Sequence, residues 1–131
     1  MIELRGAAWC GGDRNMKYFL AILVLGLAGC SAPNAMLTMQ HEALVSCYNS
    51  TQGTSAVPVK VYEASMPPKI YGKTLIVQHG PIAIEVAPHR RPTTLRHETA
   101  HVVASRLYPP EFGDHGSKWR AVYEALRECG G

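Results

Sequence analysis

The apolar positions of this chain change period several times from Ala35 onward, and each change marks an element. Met36, Met39/Gln40, Ala43/Leu44 and Cys47 recur near helical spacing, which predicts a first helix over Ala35 to Tyr48. The polar stretch Asn49 to Ser55, with Gly53 inside it, reads as a break. Val57, Val59 and Val61 then alternate with Pro58, Lys60 and Tyr62, the period-2 pattern of a half-buried strand. After Pro67-Pro68, two apolar runs, Lys73 to Gln78 and Ile82 to Val86, flank His79-Gly80-Pro81 and predict a hairpin with a helix-covered face. Pro92 followed by Thr93 or Thr94 as N-cap opens a second helix. Leu95, Val102, Val103 and Leu107 give it apolar surface, and Pro109-Pro110 ends it. A loop from Glu111 to Gly116 follows, and Ser117 can cap a closing helix striped by Trp119, Val122, Leu126 and Cys129. Helix, strand, hairpin, helix, loop and closing helix together predict a small α+β domain with a three-stranded sheet.

The pattern upstream is of another kind. Met16-Lys17 precedes about a dozen apolar residues that end in Leu27-Ala28-Gly29-Cys30, a basic start and small-residue exit typical of a secretory signal. The run is too short for the ~20 residues of a membrane span. Its ending resembles the lipobox of bacterial lipoproteins. That resemblance implies cleavage before Cys30, acylation of its thiol and new amino terminus, and anchoring to a membrane. Ser31 after Cys30 implies, by the same resemblance, the periplasmic face of the outer membrane. Residues 1–15 show no apolar periodicity and read as an over-extended start. The expected organisation is therefore a signal over 16–29, a tether over 30–34 and one domain over 35–131.

From Cys30 on, the chain has 102 residues, enough for one small core. Its 10 Lys and Arg against 8 Asp and Glu are evenly scattered, with Arg90-Arg91 the one adjacent basic pair, which argues against nucleic acid as a partner. Two cysteines follow the lipid-bearing one. In an oxidising periplasm Cys47 and Cys129 either pair, closing a long loop, or lie as two small buried thiols. His41, His79 and His89 are expected to be ordinary core or surface histidines, and Trp119 a core residue.

The second predicted helix carries His97-Glu98-Thr99-Ala100-His101. Positions four apart lie about 40° apart around a helix, so the two histidines share one face and reach one tetrahedral zinc (Zn2+). Glu98 sits beside that face as a base, and Thr99 and Ala100 are too small to crowd the metal. His41-Glu42 begins the same pattern and lacks the second histidine, so half-matches arise freely in this chain. Catalytic zinc usually takes three protein ligands. His115, in a Gly-flanked loop where the chain turns back, is the expected third; Asp114, Glu111 and Glu124 compete. The metzincin extension is absent, because Ala104, Leu107 and Tyr108 stand where glycine and histidine would be needed.

His97-Glu98-Thr99-Ala100-His101 followed by His115-Gly116-Ser117-Lys118-Trp119 and a closing helix resembles the SprT-like (Spartan-type) zinc metallopeptidases. The likeness covers about Ala35 to Cys129. It implies a zincin-like domain, zinc on His97, His101 and His115, Glu98 as general base, and a peptide or protein substrate. The lipoprotein signal and the lack of a basic, aromatic-studded stretch depart from relatives acting on DNA-crosslinked proteins, so a DNA role is not carried over. An oxyanion donor beside zinc is expected among Tyr108, His89 and Tyr123. The alternatives are a non-catalytic zinc-binding or envelope-structural lipoprotein, and zinc hydrolysis of a non-peptide envelope substrate. An intact Glu98 speaks against the first.

Overall fold

The computed structural model describes residues 32–78, 80–109 and 115–130. The chain parts into two units after Ala32, and the fold and the site lie in the second, Pro33–Gly131. The signal, Cys30, His79, Glu111 and Asp114 lie outside the described residues.

Three helices and one mixed sheet form an α+β domain: α1 (Ala35–Gln52), β1 (Lys60–Glu63), β2 (Gly72–Val77), β3 (Gly80–Val86), α2 (Thr94–Leu107) and α3 (Ser117–Glu128). The strand order is β1-β3-β2, with β1 parallel and β2 antiparallel to the central β3. Among the described residues no helix is long and apolar enough to cross a membrane.

Helix α1 starts at Asn34, whose side chain accepts the Leu37 N–H, and stops at Gly53, whose φ of 67° suits a residue without Cβ. It runs four residues past its expected end at Tyr48. The Asn49 side chain explains this: Oδ1 accepts from Thr54 Oγ1 and the Ala56 N–H, and Nδ2 donates to the Ala56 carbonyl. The polar residues thus organise the segment leaving the helix instead of interrupting the helix itself. The buried face also differs from the expected stripe. Met36 and Met39 are exposed, while Leu37, His41, Leu44, Val45 and Tyr48 point inward.

Strand β1 begins at Lys60, later than the alternation from Val57 predicts. Val57 is exposed, Pro58 has no N–H, and the Val59 N–H donates to His41 Nε2 instead of to a neighbouring strand. The hairpin is tighter than predicted. Val77 pairs with Gly80, so Gly80 and Pro81 belong to β3 and not to the turn. Gly80 has φ 117°, and Pro81, unable to donate, faces Ile76 beside the register shift at Leu75/Ile76.

Helix α2 lies between two apolar clusters and is buried nearly all round. Leu95 and Val102 join Leu37, Val59, Val61, Ile84 and Val86 against the sheet. Ala100, Val103 and Ala104 pack with Leu44, Val45, Tyr48, Trp119, Val122 and Leu126 of the other helices. Each fully buried aliphatic side chain stabilises the fold by about 1.5–3 kcal/mol, so α2 is fixed from two sides. Between the clusters, His41 is wholly buried and accepts from Val59 at Nε2, which leaves its Nδ1–H to donate to Thr99 Oγ1 at 2.8 Å. His41 is a core histidine, as expected. Cys47 and Cys129 form a disulfide tying α1 to the end of α3 across 82 residues.

Candidate metal centre

Helix α2 presents His97 and His101 one turn apart, and the residue preceding α3's N-cap, His115, comes back to meet them. His115 Nε2 lies 3.0 Å from His101 Nε2 and 3.1 Å from His97 Nε2. A ring nitrogen has one in-plane site and either donates or accepts, so His115 Nε2 cannot serve both contacts as hydrogen bonds. Three imidazole nitrogens gathered this closely suit a shared cation. The two spacings to His115 are close to the ~3.3 Å edge of a tetrahedron built with zinc–nitrogen bonds of about 2.0 Å, and all three ligand atoms lie within 4.8 Å of one another. The three histidines can therefore hold a metal ion.

Burial, and then repulsion from His97 and His115, pushes His101 down to about 4. Burial and His115 lower His97 as well. Both imidazoles are thus neutral near pH 7, the form that offers a lone pair to a metal. Among the described residues, no hydrogen bond holds their Nδ1 atoms. An aromatic ring packs against all three: Trp119 lies 4.9, 5.3 and 4.4 Å from the rings of His97, His101 and His115. Tyr123 stacks on Trp119 at 5.0 Å, and the Arg96 guanidinium sits over Tyr123. Trp119 is a core residue, as expected, and it also packs the three histidines. Its position four residues after His115 was the available sign of that second role.

Glu98 shares a cleft of about 250 Å³ with the three histidines, Gly72 and Thr74. Thr74 Oγ1 donates to Glu98 Oε2 at 2.7 Å and fixes one carboxylate oxygen. Burial raises the Glu98 pKa, and the Thr74 hydrogen bond partly opposes that. Gly72 lets β2 come this close: a Cβ there would stand 2.7 Å from Thr94 Cγ2 and 3.1 Å from Glu98 Cγ. Neither Gly72 nor Thr74 was singled out by the sequence pattern, because their partner lies 24 or more residues away.

The expected oxyanion donors separate. His89 bonds the Ile70 carbonyl at 3.1 Å and is exposed. Tyr108, at the C-cap of α2, packs on the helical core with Lys118 Nζ 4.9 Å from its ring centre. Of the three, Tyr123 is the one whose ring lies against the histidine cluster, 6.3 Å from His97. Among the competing ligands, Glu124 is exposed and paired with Arg127 at 2.7 Å. No protein-family model, curated protein or solved structure matches this chain.

Proposed function

We propose that this protein is a zinc metallopeptidase of the His-Glu-x-x-His type, lipid-anchored in a bacterial envelope through Cys30. The observation that carries the reading is the meeting of three imidazole Nε2 atoms with a buried carboxylate, Glu98, in one cleft. An all-imidazole set without thiolate or clustered carboxylates suits zinc, and three protein ligands leave a position for chemistry. The SprT-like resemblance supports the same assignment.

Zinc held there would supply Lewis acidity, lowering the pKa of a water and polarising a scissile carbonyl. Glu98 holds one oxygen on Thr74, and its other oxygen, Oε1, takes the water proton and passes it to the leaving amine. Trp119, packed on all three rings, keeps the histidines in place. Strand β2, which lines the cleft, pairs only with β3 among the described strands, and its other edge is a template for an extended peptide. That edge favours a peptide substrate over a non-peptide one. The disulfide agrees with an exported protein, and the anchor rests on Leu27-Ala28-Gly29-Cys30.

Purified processed protein should contain about one zinc per chain and hydrolyse casein until a chelator is added. Glu98→Gln should keep the zinc and lower turnover by about 10²-fold or more. His115→Ala should lose most of the bound zinc. Full activity in Glu98→Gln refutes the mechanism, and zinc without hydrolysis of any peptide points to the non-catalytic lipoprotein. Labelling by a fatty acid that survives Cys30→Ser refutes the anchor.

A further inference from the structure

Next to the metal cleft a second opening of about 340 Å³ shares Gly72, His97 and Glu98 with it and runs from them to Lys69 and Arg91. One wall is built around Arg91. Its guanidinium lies 4.4 Å over the Tyr71 ring and donates to the Tyr71 hydroxyl at 3.0 Å. Tyr71 in turn meets His89 edge-on, and His89 Nε2–H donates to the Ile70 carbonyl, so the two segments bearing the cations are clamped together. These contacts position the guanidinium without neutralising it.

Lys69 is placed at a backbone cost. It is the third residue of a turn closed by the Ile70 N–H on the Pro67 carbonyl, and its φ is 70°, the setting of a type II turn that favours glycine. The sequence carries a cation there instead. Nearby Lys73 and Arg90 are paired with Glu85 and Glu63 at 3.0 and 2.9 Å. Among the described residues, Lys69 and Arg91 have no such partner. Glu98, the acid that shares the opening, is turned to Thr74.

We propose that this opening is a substrate subsite beside the scissile bond, and that Arg91 and Lys69 there hold a substrate carboxylate. The inference rests on the hydrolytic reading of the metal centre. The carboxylate is either a Glu or Asp side chain or the carboxyl terminus of the peptide; an arginine fork matches both.

The test uses zinc-loaded Glu98→Gln protein and fluorescent peptides in matched pairs, read by anisotropy at low salt. One series replaces Glu by Gln at each position in turn; the other exchanges a free carboxyl terminus for an amide. One acidic position, or the free terminus, should bind about fivefold to tenfold tighter than its neutral match, and 0.5 M salt should shrink the ratio. Arg91→Gln and Lys69→Gly should each reduce that ratio, and glycine tolerates the positive φ, so the second variant keeps its fold. Equal binding of every matched pair overturns the proposal, as does a ratio that survives both substitutions. A preference that follows total peptide charge whatever the position overturns it too. Wild-type protein that cleaves peptides without such a preference defeats this subsite alone; protein that cleaves none defeats the hydrolytic reading.

Discussion

Reducing the Cys47–Cys129 bond should cost this domain a large share of its stability. The cross-link closes a loop of 82 residues. The chain-entropy relation gives an unfolded-state restriction of about 15 cal/mol/K for that length, or about 4.5 kcal/mol at 25 °C. Domains of this size have about 5–15 kcal/mol in all. The folded state should keep its shape after reduction, since Leu44, Val45 and Tyr48 still pack with Val122 and Leu126. Urea unfolding followed by circular dichroism, with and without a phosphine reductant, measures the difference. A Cys47→Ser, Cys129→Ser double variant serves as control. The expected fall in extrapolated stability of the metal-free protein is about 3–4.5 kcal/mol. Because α3 also carries Trp119 and follows His115, zinc at a hundred times its dissociation constant should return about 2.7 kcal/mol. A fall below about 1 kcal/mol, in protein shown by mass to be oxidised at the start, refutes the reasoning.

Two further outcomes are expected from the packing. Gly72→Ala should push Glu98 from its place, since the new methyl meets Thr94 and Glu98 at once. Under the proposed hydrolytic reading, turnover should drop more than about tenfold with zinc content unchanged, at an overpacking cost of about 1–3 kcal/mol; undiminished turnover would show that the contact does not position Glu98. His41 is held neutral by burial, with its pKa lowered from 6.5 to about 4. Its contribution is whole above pH 6.5 and fades as pH falls toward 4, because the unfolded chain takes up a proton the folded one refuses. At 1.36 kcal/mol per unit the loss reaches about 3 kcal/mol. Stability measured against pH for wild type and His41→Gln should differ in slope across that window, and parallel curves would refute the assignment.

The element order could be read from period and punctuation, and so could part of the histidine cluster, because His97 and His101 are tied by helical geometry alone. What the pattern hid was decided by partners distant in sequence. Val59 looks like strand until His41 takes its amide, and Asn49 looks like a loop residue until its side chain organises Thr54 and Ala56. Met36 and Met39 share a helical period with buried residues, and only packing chooses between the two faces. The return of His115 to the other two histidines was a matter of residue type and expected turn chemistry. The support of Glu98 by Gly72 and Thr74 needed the sheet to exist first.

The chain has two tryptophans, Trp9 and Trp119, and only the second lies downstream of Cys30. A molecule cut before Cys30, as in the proposed lipoprotein, would therefore carry a single indole, packed 4.4 to 5.3 Å from each of three imidazoles. Its intrinsic emission is then a built-in gauge of the histidine cluster. Copper or cobalt entering the site should quench it stoichiometrically, and zinc should shift it and protect it from that quenching. Metal exchange could thus be followed in real time on unlabelled protein.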